Sequence, residues 1–154
     1  MPLALRFEST LRASREEAWR WITDVRCLRQ EMRPLLWMSV PRGVRNLEQL
    51  TVEPGRELFT SWLWLLGVLP IGTSRLTLRE ITPGQGFIEE SPMTGMRLWR
   101  HERRLESCAQ GIRVVDQLTV EPLFAGPVVS LFLRLLFASR HRVLRHRAAR
   151  LLGA

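Results

Sequence analysis

The 154-residue chain contains no lysine and no tyrosine. All 23 basic residues are arginine, which rules out a Schiff-base lysine and matches the codon usage of a GC-rich genome. Without tyrosine, the six tryptophans and six phenylalanines can offer a ligand an indole N–H but no phenolic hydroxyl. Two cysteines, Cys27 and Cys108, form no motif, so neither a disulfide framework nor a metal site is expected, and no cofactor is implied. Long apolar runs are missing too. Leu58–Gly72 is broken by Gly67 and Pro70, and Leu123–Ala138 by Pro127 and Arg134, whereas a membrane span takes about 20 apolar residues. The N-terminal stretch meets Arg6 and Glu8 before a signal-peptide core could form. The expectation is a cytoplasmic protein without integral membrane insertion, which leaves room for transient membrane contact.

Acidic residues are absent from one end. Residues 1–121 carry 17 Arg and 15 acids, a balance of +2, while residues 122–154 carry six Arg and no acid. The net charge of +8 is therefore largely a property of the C-terminus.

The length suits one domain, 1–154, with a proper core. Leu3 to Leu11 alternates as a half-buried strand. Ser14-Arg-Glu-Glu17 is a capping box, followed by helical spacing that predicts helices over about 14–23 and 24–31, ending before Pro34. From Pro34 to Pro122, Gly/Pro punctuation predicts strands over about 44–52, 56–66, 74–81, 86–91, 96–107 and 111–121. A long helix then runs from Gly126 to Arg150. Strand, two helices, some six strands and a closing helix exclude a doubly wound parallel sheet and imply an antiparallel meander, curled, with its concave face covered by the last helix. The fold class expected is α+β.

The pattern Gly86-Phe87-Ile-Glu-Glu-Ser91, Trp99-x-His101, Val115-Asp116, Glu121-Pro122 and Leu136-Phe137-x-x-Arg140-His141-Arg142 resembles the START-like, or Bet v 1-like, superfamily. Within it the similarity is to bacterial polyketide cyclase/dehydrase-like and lipid-transport-like proteins. The resemblance implies a helix-grip fold of six to seven strands on a long C-terminal helix, with an internal apolar cavity. It does not imply a reaction.

Candidate site residues follow from this frame. Trp62 and Trp64 share one strand face with Leu58, Thr60 and Leu66 and are expected to line the cavity, with plain core packing as the alternative. Trp99 and His101 alternate in phase, so His101 could orient a ligand, and Asp116 on the next strand could hold its other ring nitrogen. A structural histidine is the competing reading, and a one-residue phase error would reverse every side chain. Of Glu89 and Glu90, one faces inward; Arg100, Arg103 and Arg104 are available partners, in cross-strand ion pairs on the convex face. No paired-acid spacing, nucleophile motif or phosphate loop is present.

In the last helix, Val128–Ala138 is apolar and Arg140–Arg150 basic, which predicts a first half buried over the sheet and a second half projecting into solvent. The reading is a binding domain for a small hydrophobic molecule: a lipid, polyketide or isoprenoid-like compound. Two rivals stand beside it. One is a cyclase or hydratase using His101 and Asp116 for proton transfer. The other is a cationic module acting through residues 140–150, although a basic patch without interleaved aromatics argues against nucleic acid.

Overall fold

The computed structural model describes residues 2–49, 53 and 56–152. Strand β1 (Leu3–Leu11) leads into helices α1 (Arg15–Thr23) and α2 (Val25–Met32), followed by β2 (Leu36–Met38), β3 (Glu57–Leu65), β4 (Leu69–Thr82), β5 (Gly86–Glu90), β6 (Met96–Cys108), β7 (Gly111–Pro122) and α3 (Gly126–Leu152). The seven strands form one antiparallel sheet in the order β1-β7-β6-β5-β4-β3-β2. It curls around α3, which is the expected α+β helix grip.

Local chemistry explains the boundaries. Ser14 caps α1 as a full capping box, with Glu17 reaching back to the Ser14 amide. Asp24 ends α1 and caps α2, accepting from the amides of Arg26 and Cys27. Between β3 and β4 the chain reverses over the three residues Leu66, Gly67 and Val68, with Leu66 and Gly67 at φ 54° and 76° and Val68 N donating to Leu65 O at 3.1 Å. Two positive φ values match the right-handed twist of a hairpin. Gly86 brings β5 against the Arg103 carbonyl, a place where a Cβ would collide.

Two expectations change. The strand expected over 44–52 is, in its described part, a bridge at Asn46 and a 3-10 turn Leu47–Gln49; residues 50–52 lie outside the described residues. The short strand β2 forms instead just after Pro34, where three residues of the apolar run pair with Leu63–Leu65. Three residues carry too little alternation to be read as a strand.

The C-terminal half of α3 does not project freely. Leu133, Leu136, Phe137, Arg140, His141, Leu144 and Ala148 are all buried, a stripe of i+3/i+4 spacing that runs nearly the whole helix. Phe7 of β1 stacks on Phe137, centroids 5.2 Å apart. Charge by charge the helix changes character at Arg140; face by face, the buried side continues, and Arg142, Arg145, His146 and Arg150 lie on the exposed side.

The core is divided. One apolar cluster includes Leu11, Ile22, Leu78, Phe87, Leu105, Val114 and Leu144. Another includes Leu5, Leu36, Leu63, Trp99, Leu118, Val120, Leu133 and Phe137, with Met32, Met38, Met93 and Met96 packed against it. What separates them is polar.

Candidate functional site: a buried polar layer

Six elements (β1, α2, β5, β6, β7 and α3) interrupt their apolar faces with polar side chains that meet one another. On β6, His101 and Arg103 stand between Trp99 and Leu105; on β7, Asp116 stands between Leu118 and Val114. On α3, Arg140 and His141 lie between Phe137 and Leu144, and on β1, Ser9 lies between Phe7 and Leu11. Helix α2 adds Glu31 and β5 adds Glu89, which faces His101.

Asp116 is the hub. Its Oδ1 accepts from Arg103 Nε and His101 Nε2, both at 2.7 Å. Its Oδ2 accepts from Arg103 Nη2 at 2.8 Å and from His141 Nε2 at 2.7 Å. Since a carboxylate only accepts, both histidines must present Nε2–H to it. Ser9 Oγ lies 2.5 Å from His141 Nδ1 and accepts from Arg145 at 3.0 Å, which extends the network to the surface of α3.

Glu31 completes the other side. Arg103 Nη1 lies 2.9 Å from its Oε1, and Arg140 Nε donates to the same oxygen at 3.3 Å. Arg140 also sits over the Phe137 ring, 4.7 Å from the centroid. Glu89 accepts from Ser91 Oγ at 2.6 Å; its Oε1 is 3.7 Å from His101 Nδ1, too long for a hydrogen bond.

The electrostatics follow from burial and pairing together. Burial works against an ionised Asp116, but Arg103 and His101 outweigh it and hold the carboxyl well below the usual carboxylate range. Glu89 is likewise disfavoured by burial yet lowered overall by His101 and the Ser91 hydroxyl. Arg103 loses solvation but gains more from Asp116 and Glu31, so its pKa rises. Arg140 moves the other way: burial, then the neighbouring Arg103, lowers it despite Glu31.

The expected pair of His101 and Asp116 is therefore present, with the inward phase that includes Trp99. Trp62 and Trp64 are placed differently. Trp62 is 56% exposed, on the side of β3 opposite the buried Phe59, Ser61 and Leu63, and Trp64 is partly buried beside its register partner Trp37. Both faces of this strand are apolar, so alternation alone could not say which one turned inward. Glu90 stays outside, paired with Arg79 and Arg100, as expected for the convex face. Arg103, assigned in advance to Glu89 or Glu90, instead serves Asp116 and Glu31. Glu31, Arg140 and His141 were not foreseen. The signal that could have found the last two is their i+3/i+4 spacing from Phe137 in the apolar stripe.

Two open clefts of about 550 Å³ each mark the surface. One runs past Arg15, Gly84, Glu102 and Arg104; the other is bordered by Thr73, Arg75, Arg97, Met93, Met96 and Trp99. No residue of α3 lines either cleft, so neither is the cavity expected between sheet and helix. The second does reach Trp99, Met93 and Met96, which border the methionine-rich cluster.

Solved structures share this architecture. The aromatase/cyclase ZhuI from Streptomyces sp. R1128 superposes with a TM-score of 0.69 at 11% identity, over 97% of this chain and 95% of that one. A START superfamily protein from Mycobacterium smegmatis gives 0.64 at 12% identity, over 97% and 98%. Ara h 8.0201 gives 0.66 at 11% identity, over 97% and 99%. At such identities the likeness is one of fold: the START-like, Bet v 1-like helix grip. No curated protein matches the sequence. The family described as a domain of unknown function, DUF8410, matches residues 9–148, and this chain belongs to it.

Proposed function

We propose that the chain, acting as one domain, binds a small hydrophobic molecule with a single polar end, held between the methionine-rich part of the concave sheet and the first half of α3. One observation carries this reading. Among the described residues five buried side-chain atoms have no hydrogen-bond partner; three belong to arginines, and two, Ser61 Oγ and Trp99 Nε1, lie on the inner face of the sheet. An orphaned buried polar atom costs about 1–3 kcal/mol, and such atoms are rare in folded proteins. A ligand that offers an acceptor there removes that cost. Around them Leu63, Met93, Met96 and Leu133 present apolar and adaptable surface, since methionine repacks easily. The ligand enters by displacing packed side chains where the second cleft meets Trp99. His101 and Asp116 stand behind this wall as its rigid polar floor.

Proton transfer by His101 and Asp116 has less support. The two touch, but His101 Nε2 already donates to Asp116, its Nδ1 faces Glu89, and the ring is wedged edge-on between Phe87 and Phe137. No free nitrogen is left for a substrate.

The test is native mass spectrometry of freshly purified protein for a co-purifying lipid, with saturable quenching of tryptophan fluorescence by an apolar probe. Trp99→Phe should weaken binding while Trp62→Phe leaves it unchanged. Absence of any saturable binding across a panel of fatty acids, isoprenoids and flat polycyclic probes would end this reading.

A further inference from the structure

The β3–β4 turn exposes Leu66, Val68 and Leu69, with Val68 80% accessible. The β7–α3 connection exposes Leu123 and Phe124, the latter 73% accessible, and Val128 follows in the first turn of α3. These segments belong to one end of the molecule. Leu66 N donates to Leu35 O at 2.9 Å, Thr94 N to Thr73 O at 3.0 Å, and Leu123 N to Gly95 O at 3.0 Å, which ties together the connections at 33–35, 66–72, 93–95 and 123–125.

Their charge has one sign. Residues 33–40, 66–72, 91–97 and 122–128 contain no carboxylate, while Arg33 and Arg97 lie within them; on their flanks stand Arg75 and Arg134 and the acids Glu90 and Glu121, the latter 4.0 Å from Arg97. Arg33 is stacked 4.0 Å from the ring centroid of the half-exposed Trp37. The backbone adds an independent mark. Among the described residues, the two non-glycine residues with positive φ are Leu66 and Ala125, both at 54° and both in these connections. A branched apolar side chain in that conformation costs about 1–2 kcal/mol relative to glycine, so an exposed leucine at a hairpin tip is not what folding alone selects.

We infer that this end docks on an anionic lipid bilayer, its leucine, valine and phenylalanine tips entering the headgroup boundary and its arginines meeting lipid phosphates. Exposed apolar tips that carry no carboxylate themselves, with arginines beside them, are complementary to that surface, because an anionic bilayer repels acids and accepts both features. No described helix is long and apolar enough to cross a membrane, so the contact is peripheral. The exposed arginines Arg142 and Arg150 lie toward the opposite end of α3 and take no part.

Co-sedimentation with vesicles decides the matter. The full chain should bind vesicles of phosphatidylglycerol and phosphatidylcholine, bind pure phosphatidylcholine much less, and release with salt. The double variant Val68→Asp, Phe124→Asp should keep its circular dichroism and lose about tenfold or more in vesicle affinity. Arg142→Gln with Arg150→Gln should bind as the parent does. Three results would overturn the inference: no association with anionic vesicles; association lost in the basic-end variant but kept in the apolar one; or a concentration-dependent dimer, abolished by Val68→Asp, in protein that ignores vesicles.

Discussion

Arg103 and Asp116 are register partners on β6 and β7 and join through two parallel hydrogen bonds, 2.7 and 2.8 Å long, with neither side chain reaching solvent. A guanidinium fork and a carboxylate match in this geometry as a lysine could not. The pair is nevertheless weak grounds for high stability, because desolvating both charges offsets most of their attraction. Its importance shows when one half is removed.

Arg103→Ala leaves Asp116 and Glu31 without their main cation in the core. Unfolding free energy should fall by about 3–5 kcal/mol, measured by urea denaturation. A loss below about 1 kcal/mol would mean that water reaches the layer and that the core is not dry at this level.

Acid should dissolve the layer from its carboxylates. Folded Asp116 and Glu89 titrate below their ordinary values of 3.8 and 4.5, so in acid the unfolded chain binds more protons than the folded one. Their stabilisation is complete above about pH 5 and disappears as pH falls through the folded values. Denaturation midpoints should be flat from neutral pH to that point and then drop, and Glu89→Gln should shallow the drop. A midpoint that rises on acidification contradicts the pairing.

Both core histidines should carry their proton on Nε2. Nitrogen-15 shifts of the side chains should report Nε2–H for His101 and for His141, since each faces an Asp116 oxygen at 2.7 Å. An Nδ1–H tautomer with bare Nε2 at either residue would break the hub.

Arg140 and Arg142 sit two residues apart on α3 and should behave oppositely. Arg142→Gln on the exposed side should change stability by less than about 0.5 kcal/mol. Arg140→Gln removes a cation 3.3 Å from Glu31 inside the core and should cost about 1–3 kcal/mol. Equal effects would mean that the buried stripe ends at Phe137.

The element order was legible because it rests on local rules: the Ser14 capping box, the glycine and proline punctuation, the alternation of β6 and β7. The His101–Asp116 contact was legible for the same reason, since two neighbouring strands with one short turn fix their register. Trp62 and Trp64 were misplaced because β3 is apolar on both faces and its phase is set by the curl of the whole sheet. Glu31 was invisible for a different reason. It lies 72 residues from Arg103 and 109 from Arg140, and no local pattern reports which buried acid a folded chain will bring to which cation. In α3, arginine was read as a mark of solvent, yet Arg140 is 3% exposed. Composition speaks of where charge lies along the chain, whereas the helix sorts it by angle.

The polar layer draws Ser9, Glu31, Glu89, His101, Arg103, Asp116, Arg140 and His141 from β1, α2, β5, β6, β7 and α3. Sliding α3 by one turn would put Leu144 opposite Asp116 and strand Arg140 among leucines, so the layer admits a single alignment of helix and sheet. Neutralising Glu31 leaves Arg140 without its acid; changing Asp116 leaves two histidine Nε2–H groups without an acceptor and Arg103 with Glu31 alone. Among descendants of this chain, positions 31, 103, 116 and 140 should accordingly drift together or stand still, as one inherited character and not four.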